Sequence, residues 1–257
     1  MRVILMDLFD LTGKKALVTG GSRGLGRGMA EALLEAGAEV IITGVSDRVL
    51  ETAAELRKND FPVSALSFDL SNREEIKKSF QKVMDKFEGQ LDILVNNAGI
   101  QRRHQAEEFP EEDWDDVLEV NLNSVFILSQ LAAREMLKND GGKIINIASL
   151  LSFFGGYTVP AYAASKGGVA QLTKALANEW AAKGINVNAV APGYMDTDMN
   201  TALVNDPERN KLIMSRIPAD RWGKPEDMKG IVIFLASKAS NYLNGTVIPV
   251  DGGYSGR

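Results

Sequence analysis

Two patterns of apolar residues alternate along the chain. Short, nearly unbroken apolar runs occupy residues 14–19, 39–43, 63–68, 91–95, 143–148, 185–191 and 246–250. Runs of that length, rich in Val and Ile and bounded by Gly, Asn or Asp, predict strands buried on both faces. Between them apolar residues recur every three or four positions, which predicts helices. One such helix follows Gly26 to Ala36, a polar one ends near residue 87, and another runs from 111 to about 137 through Trp114, Val117, Leu118, Val120 and Leu122. A further helix passes through Leu172, Leu176 and Trp180 to a cap at Gly184, and the last spans 225 to about 236. Such alternation predicts an α/β fold: a doubly wound, mostly parallel seven-stranded sheet with helices on both faces and right-handed crossovers. Residues 194–218 lack strong periodicity where a βα loop belongs, so they are expected to form a substrate loop or lid. No linker, repeat or low-complexity tract interrupts residues 1–257, which are expected to form one domain.

Composition narrows the function. The chain has 257 residues, a net charge of −5 and no basic block, so no nucleic-acid partner is expected. The run 1–6 is too short for a signal core, and no membrane segment is expected; the reading is a cytoplasmic protein. There is no cysteine and one histidine, His104, so thiol chemistry, disulfides and a multi-His metal site fall away, and no metal is expected.

The chemistry-bearing residues cluster at strand ends. Gly20-Gly21-Ser22-Arg23-Gly24-Leu25-Gly26 joins the first strand to its helix. Glycines there let backbone amides approach a pyrophosphate at a helix N-terminus, although a plain tight turn has the same composition. Ser149 ends the fifth strand and is followed, after Gly155-Gly156, by Tyr162-Ala163-Ala164-Ser165-Lys166. Four residues apart on a helix, the phenol and the ammonium share one face. A neighbouring ammonium favours the ionised phenol, which suits acid/base work.

Other positions stay open on the residues alone. After the second strand, Asp47 would hold ribose hydroxyls, a little late in the sequence, whereas Arg23 and Arg48 would tolerate a 2′-phosphate. Asp69 could accept from an adenine amino group or cap the next helix. Asn96-Asn97-Ala98-Gly99 would let backbone lie against a cofactor. Arg102 and Arg103 could clamp a carboxylate or form a solvated loop. Asn121, in mid-helix, either packs as a paired polar group or bends the helix and holds a water near Lys166.

In order and spacing, Thr19-Gly20-x-x-x-Gly24-x-Gly26, Asn96-Asn97-Ala98-Gly99, Asn121, Ser149, Tyr162-x-x-x-Lys166 and Pro192-Gly193 resemble the short-chain dehydrogenases/reductases over almost the whole chain. The resemblance implies a Rossmann fold and a catalytic set of Asn121, Ser149, Tyr162 and Lys166. Tyr162 would exchange a proton with the substrate oxygen, Ser149 would hydrogen-bond that oxygen, Lys166 would lower the tyrosine pKa and hold the nicotinamide ribose, and Asn121 would support a water-linked proton path. Cofactor contacts are expected from Gly20, Ser22, Arg23, Gly24, Leu25, Gly26, Asp47, Asp69 and Leu70, and from Asn97, Ala98, Gly99, Tyr162, Lys166, Pro192, Gly193 and Thr197.

Within the family the likeness runs to members acting on small sugar acids, through Arg102-Arg103, the segment from Gly142 to Phe153, Asn178-Glu179-Trp180-Ala181, and Arg216-Ile217-Pro218-Ala219-x-Arg221-Trp222-Gly223. The implied substrate is a small sugar acid held by Arg102, Arg103, Ser149, Tyr162 and Tyr194. The implied cofactor is NAD, with NADP as the alternative because Gly21-Ser22-Arg23-Gly24 is similar to the turn of the NADP-using acyl-carrier-protein reductases. Those reductases, and a non-catalytic dinucleotide sensor on the same fold, are the rival readings. The family habit also implies a homotetramer.

Overall fold

Seven strands lie side by side in the order β3-β2-β1-β4-β5-β6-β7, and every neighbouring pair is parallel. They are β1 (Lys15–Thr19), β2 (Glu39–Gly44), β3 (Val63–Ser67), β4 (Ile93–Asn96), β5 (Gly142–Ile147), β6 (Ile185–Pro192) and β7 (Val247–Val250). The computed structural model describes residues 7–256, so the run 1–6 read against a signal core lies outside the described residues.

Continuous apolar strands follow from a sheet covered on both sides. Leu17, Ile41, Leu94 and Ile144 point into one core, and their chain neighbours Val18, Ile42, Val95 and Ile145 do not. Those neighbours pack with Met29 and Leu33 of α1 (Gly24–Glu35), Val49 and Ala53 of α2 (Arg48–Arg57) and Val232 of α9 (Lys229–Ala236). On the other face lie Phe80 of α3 (Arg73–Lys86), Leu128 of α5 (Ser124–Met136) and Leu176 of α6 (Pro160–Trp180). Burial at about 25 cal/mol per Å² of apolar surface makes this two-sided cover the main source of stability.

Two elements depart from the sequence expectation. The helix expected from 111 to about 137 is divided into α4 (Glu111–Leu118), a π-helical turn (Glu119–Asn123) and α5. Asn121 lies inside that turn and is buried there. Residues 194–218, expected to be irregular, carry α7 (Thr201–Val204) and α8 (Pro207–Met214). Asp206 caps α8 by accepting from the amides of Glu208 and Arg209 at 3.1 Å each, and Pro207 takes the first helical position. No residue of α8 is buried, so its sequence carries no apolar stripe.

The chain leaves β1 toward β3 and then crosses back to β4, so the strand order reverses between β1 and β4. Folds of this kind form a ligand crevice at that point, beyond the carboxyl ends of the strands.

Candidate active site

A cleft of about 1430 Å³ opens at that reversal. Its floor is tied together by Thr19, whose Oγ1 accepts from the amides of Asn97 and Ala98 at 3.0 Å each, while Asn97 Nδ2 donates to the Thr19 carbonyl at 2.9 Å. The glycine turn wraps this junction. Gly20 and Gly24 have φ of +64° and +52°, which side-chain-bearing residues rarely adopt. A Cβ on Gly26 would run into the Gly20 carbonyl and the Asn97 side chain. Such a cradle, bare of side chains at the start of α1, fits a dinucleotide pyrophosphate. Ser22, Arg23, Leu25, Ala98, Gly99, Pro192, Gly193 and Thr197 line the same cleft.

Ser149, Tyr162 and Lys166 also line it. Ser149 lies two residues beyond β5 and caps a 3-10 turn (Leu150–Ser152), its Oγ accepting from the Leu151 amide at 3.1 Å. Ser152, one residue past that turn's centre, donates to the Lys166 carbonyl at 2.6 Å and receives the Ser149 amide at 3.3 Å. The serine loop is thereby fastened to α6. Lys166 Nζ lies 5.7 Å from the Tyr162 ring centre and donates to the Ile147 carbonyl at 2.6 Å. Burial brings the Lys166 ammonium down to about 8. Burial also raises the Tyr162 phenol, against an opposing pull from the Ser149 hydroxyl and the Arg103 charge. The sequence expectation was a phenol lowered by its lysine neighbour; in the free protein burial outweighs the lowering influences.

Asn121 is fully buried and fully used. Its Oδ1 accepts from the Ile100 amide at 2.8 Å, and its Nδ2 donates to the Ile100 carbonyl at 2.9 Å and to Ser165 Oγ at 3.2 Å. Ser165 Oγ in turn donates to the Tyr162 carbonyl at 2.8 Å, so the loop after β4 and the catalytic helix share one polar junction. π turns of this sort recur at functional sites.

The expected arginine pair is split. Arg102 turns to Asp113 at 3.1 Å and Asp116 at 3.7 Å, with His104 on the same Asp113 at 2.6 Å, so it is not free to clamp a ligand beside its neighbour. Both arginines line the cleft, and Arg103 has no acidic partner among the described residues. Its guanidinium sits below the ordinary value through burial and through the nearby charge of Arg209. Tyr194 stands in the wall as expected, packed edge-on against Trp222 at 5.6 Å and against Tyr254 at 5.2 Å. Sequence reasoning missed Arg209, Arg216, Trp222 and Tyr254 here. The motif Arg216-Ile217-Pro218-Ala219-x-Arg221-Trp222-Gly223 was its one signal.

At the adenosine end, Asn72 rather than Asp69 caps α3, accepting from Glu74 and Glu75 amides at 3.1 Å each. Asp69 keeps one bond to the Ser71 amide at 2.8 Å and lines the cleft beside Leu70. Asp47 occupies the N-cap position of α2 and does not line the cleft. Arg23 pairs with Asp198 at 2.8 Å, with Arg48 at 3.9 Å from the same carboxylate. Among the described residues no cluster of three or more His, Cys, Asp or Glu could hold a metal, and no helix is long and apolar enough to cross a membrane.

Comparison with known proteins agrees with this geometry. The family profile described as enoyl-(acyl carrier protein) reductase matches residues 20–255. The 2-dehydro-3-deoxy-D-gluconate 5-dehydrogenase of Bacillus subtilis (strain 168) is 53% identical over 253 residues, covering 98% of this chain and 99% of its own. A crystal structure of a candidate 2-deoxy-D-gluconate 3-dehydrogenase from Agrobacterium tumefaciens, with bound NADP, superposes with a TM-score of 0.90 at 50% identity over 98% of this chain and 100% of its own. The gluconate 5-dehydrogenase of Burkholderia cenocepacia J2315, in complex with NADP and tartrate, gives 0.92 at 40% identity over 98% and 99% of the two chains. With its parallel sheet, glycine cradle and Ser149, Tyr162 and Lys166 gathered in one cleft, the chain belongs to the short-chain dehydrogenase/reductase family of NAD(P)-dependent oxidoreductases.

Proposed function

We propose that the chain interconverts a hydroxyl and a ketone on a small sugar acid, in the manner of the 2-dehydro-3-deoxy-D-gluconate 5-dehydrogenases, also described as 2-deoxy-D-gluconate 3-dehydrogenases. The observation that carries the reading is one cleft holding the glycine cradle, the Ser149–Tyr162–Lys166 group and Arg103, which has no counter-ion among the described residues. When bound, the nicotinamide supplies the carbon that takes or gives a hydride. Tyr162 takes or gives the proton at the substrate oxygen. Ser149 spends a lone pair on the Leu151 amide, which leaves its hydrogen for that oxygen. Lys166 faces the phenol and, held by the Ile147 carbonyl, orients the ribose side of the site. Asn121 keeps the loop at Gly99 and Ile100 in place. Arg103 takes the carboxylate, and residues 194–218 cover the substrate.

For the cofactor, the lining at the end of β2 contains Gly44, Val45, Ser22 and Arg23 and no carboxylate from the β2–α2 turn. Arg23 and Arg48 there share only the exposed carboxylate of Asp198, so a 2′-phosphate can take its place between them. In this reading NADP is used alongside NAD, with support from relatives solved with NADP. The protein works in the cytoplasm as a homotetramer.

A turnover screen of six-carbon keto- and hydroxy-acids with NAD(H) and NADP(H), following reduced-nicotinamide absorbance, tests the reading. Expected are turnover of sugar acids at least tenfold above matched neutral polyols, and NADP within tenfold of NAD or better, about 1.4 kcal/mol. Tyr162→Phe is expected to cut kcat by about 10²–10⁴ while leaving dinucleotide titration unchanged. Dinucleotide binding with no turnover of any acid would favour the sensor reading instead.

A further inference from the structure

We infer that the segment 194–218 carries the second half of the carboxylate receptor: Arg209 on α8 and Arg216 just beyond it, facing Arg103 across the cleft. The inference rests on the sugar-acid reading above and assigns its specificity. All three arginines line the cleft, and none has an acidic partner among the described residues. The acidic residues that share the cleft are engaged elsewhere. Asp116 is with Arg102 at 3.7 Å, Asp198 is with Arg23 at 2.8 Å, and Asp69 stands at the adenosine end. Three guanidinium groups thus line the cleft with no acidic partner among the described residues, and Arg103 feels the charge of Arg209.

Each arginine is positioned by its own contact. The loop bearing Arg103 is pinned on one side by Ile100 on Asn121 and on the other by the His104 amide on the Thr158 carbonyl at 3.1 Å. Next to Arg209, Asn210 Oδ1 accepts from Trp222 Nε1 at 2.9 Å, and Trp222 packs on Tyr194. That contact fixes α8 to the wall of the cleft. Arg216 lies over the Tyr254 ring at 4.4 Å, a stack that leaves the edge of its fork available for hydrogen bonds. A carboxylate has two oxygens and about four acceptor directions, more than one guanidinium can satisfy, so donors from the body and from the lid can grip it together. The ligand class is a carboxylate at the end of a short polyol chain whose reacting carbon lies at Tyr162.

The test compares oxidation of 2-dehydro-3-deoxy-D-gluconate with that of its methyl ester, which has the same carbon skeleton and no charge, under saturating NADP+ or NAD+. The wild type is expected to prefer the acid by about a hundredfold in kcat/KM. In Arg209→Gln and Arg216→Gln the acid is expected to lose at least tenfold, chiefly in KM, while the ester and the dinucleotide KM hold within about twofold; Arg209→Lys should recover part of the loss. A merely structural role would lower acid and ester alike, and that result, or unchanged discrimination in both glutamine variants, overturns the inference while leaving the sugar-acid reading intact. A wild type that turns over other sugar acids but does not distinguish acid from ester overturns the arginine receptor. A wild type inactive on every sugar acid sinks the parent reading as well.

Discussion

Lys166 is 4% exposed and has the Ile147 carbonyl at 2.6 Å as its hydrogen-bond partner, and no carboxylate among the described residues pairs with it. Its ionisation falls from an ordinary 10.5 to about 8. Between those values the unfolded chain holds the proton and the folded chain does not, so stability rises with pH across that window. Below pH 8 the buried ammonium costs the fold about 3 kcal/mol. Lys166→Met removes the cost and leaves the Ile147 carbonyl without its donor, a loss of about 1–3 kcal/mol. The expected net gain at pH 7 is about 1 kcal/mol, roughly 2–4 °C in melting temperature, with turnover abolished. The gain is expected to shrink as pH climbs from 8 toward 10.5, and melting curves over pH 7–10.5 would refute the account by showing a constant difference. The pairing of Tyr162 with Lys166 was legible because a spacing of four places both on one helix face. The direction in which burial pushes the phenol was not, since it depends on strands and loops far away in sequence covering the ring.

Among the elements, the 3-10 turn after β5 and helix α6 carry the catalytic side chains, and Ser152 joins them. Its hydroxyl donates to the Lys166 carbonyl at 2.6 Å and accepts the Ser149 amide at 3.3 Å. Ser152 touches neither the phenol nor the ammonium, so it acts by positioning. A misplacement near 1 Å can cost on the order of a hundredfold in rate; for one hydrogen bond, Ser152→Ala is expected to lower kcat about tenfold with dinucleotide affinity unchanged, and Ser152→Thr to restore most of it. Steady-state kinetics with an unaltered kcat in the alanine variant would remove Ser152 from the catalytic account. Strand positions were readable at this scale because two-sided burial forces continuous apolar runs. Helix α8 was not, because it buries no side chain and so leaves no periodic mark; its Asp206-Pro207 cap was the available signal. The π turn was half readable: Asn121 marks a buried polar residue, but the extra residue in the turn follows from its bonds to Ile100 and Ser165.

Across the whole molecule the strand order follows from alternation and handedness, while the charge layout of the cleft does not, because Arg102 and Arg103 are adjacent in sequence and face different partners only once α4 brings Asp113 and Asp116 against one of them. Assembly belongs to the same scale. Helices α4 and α5 leave Trp114 37% and Phe126 43% exposed, and Leu137, just past α5, is 44% exposed, although the opposite side of α5 fills the core through Leu128 and Met136. Large apolar groups on a helix that already has one buried face suit a second packing surface, which the proposed homotetramer would cover with another copy of the chain. Covering the exposed part of each Phe126 ring contributes on the order of 1 kcal/mol, and a carboxylate in its place would be buried without a partner at a cost several times larger. Light scattering of the wild type is expected to give four times the chain mass of 27.9 kDa. Phe126→Glu is expected to give half or a quarter of the wild-type mass, with the helical circular dichroism retained and a lower melting temperature. A monomeric wild type, or a variant that keeps the wild-type mass, would show that this face is ordinary solvent surface and that the cleft, with its lid, is complete within one chain.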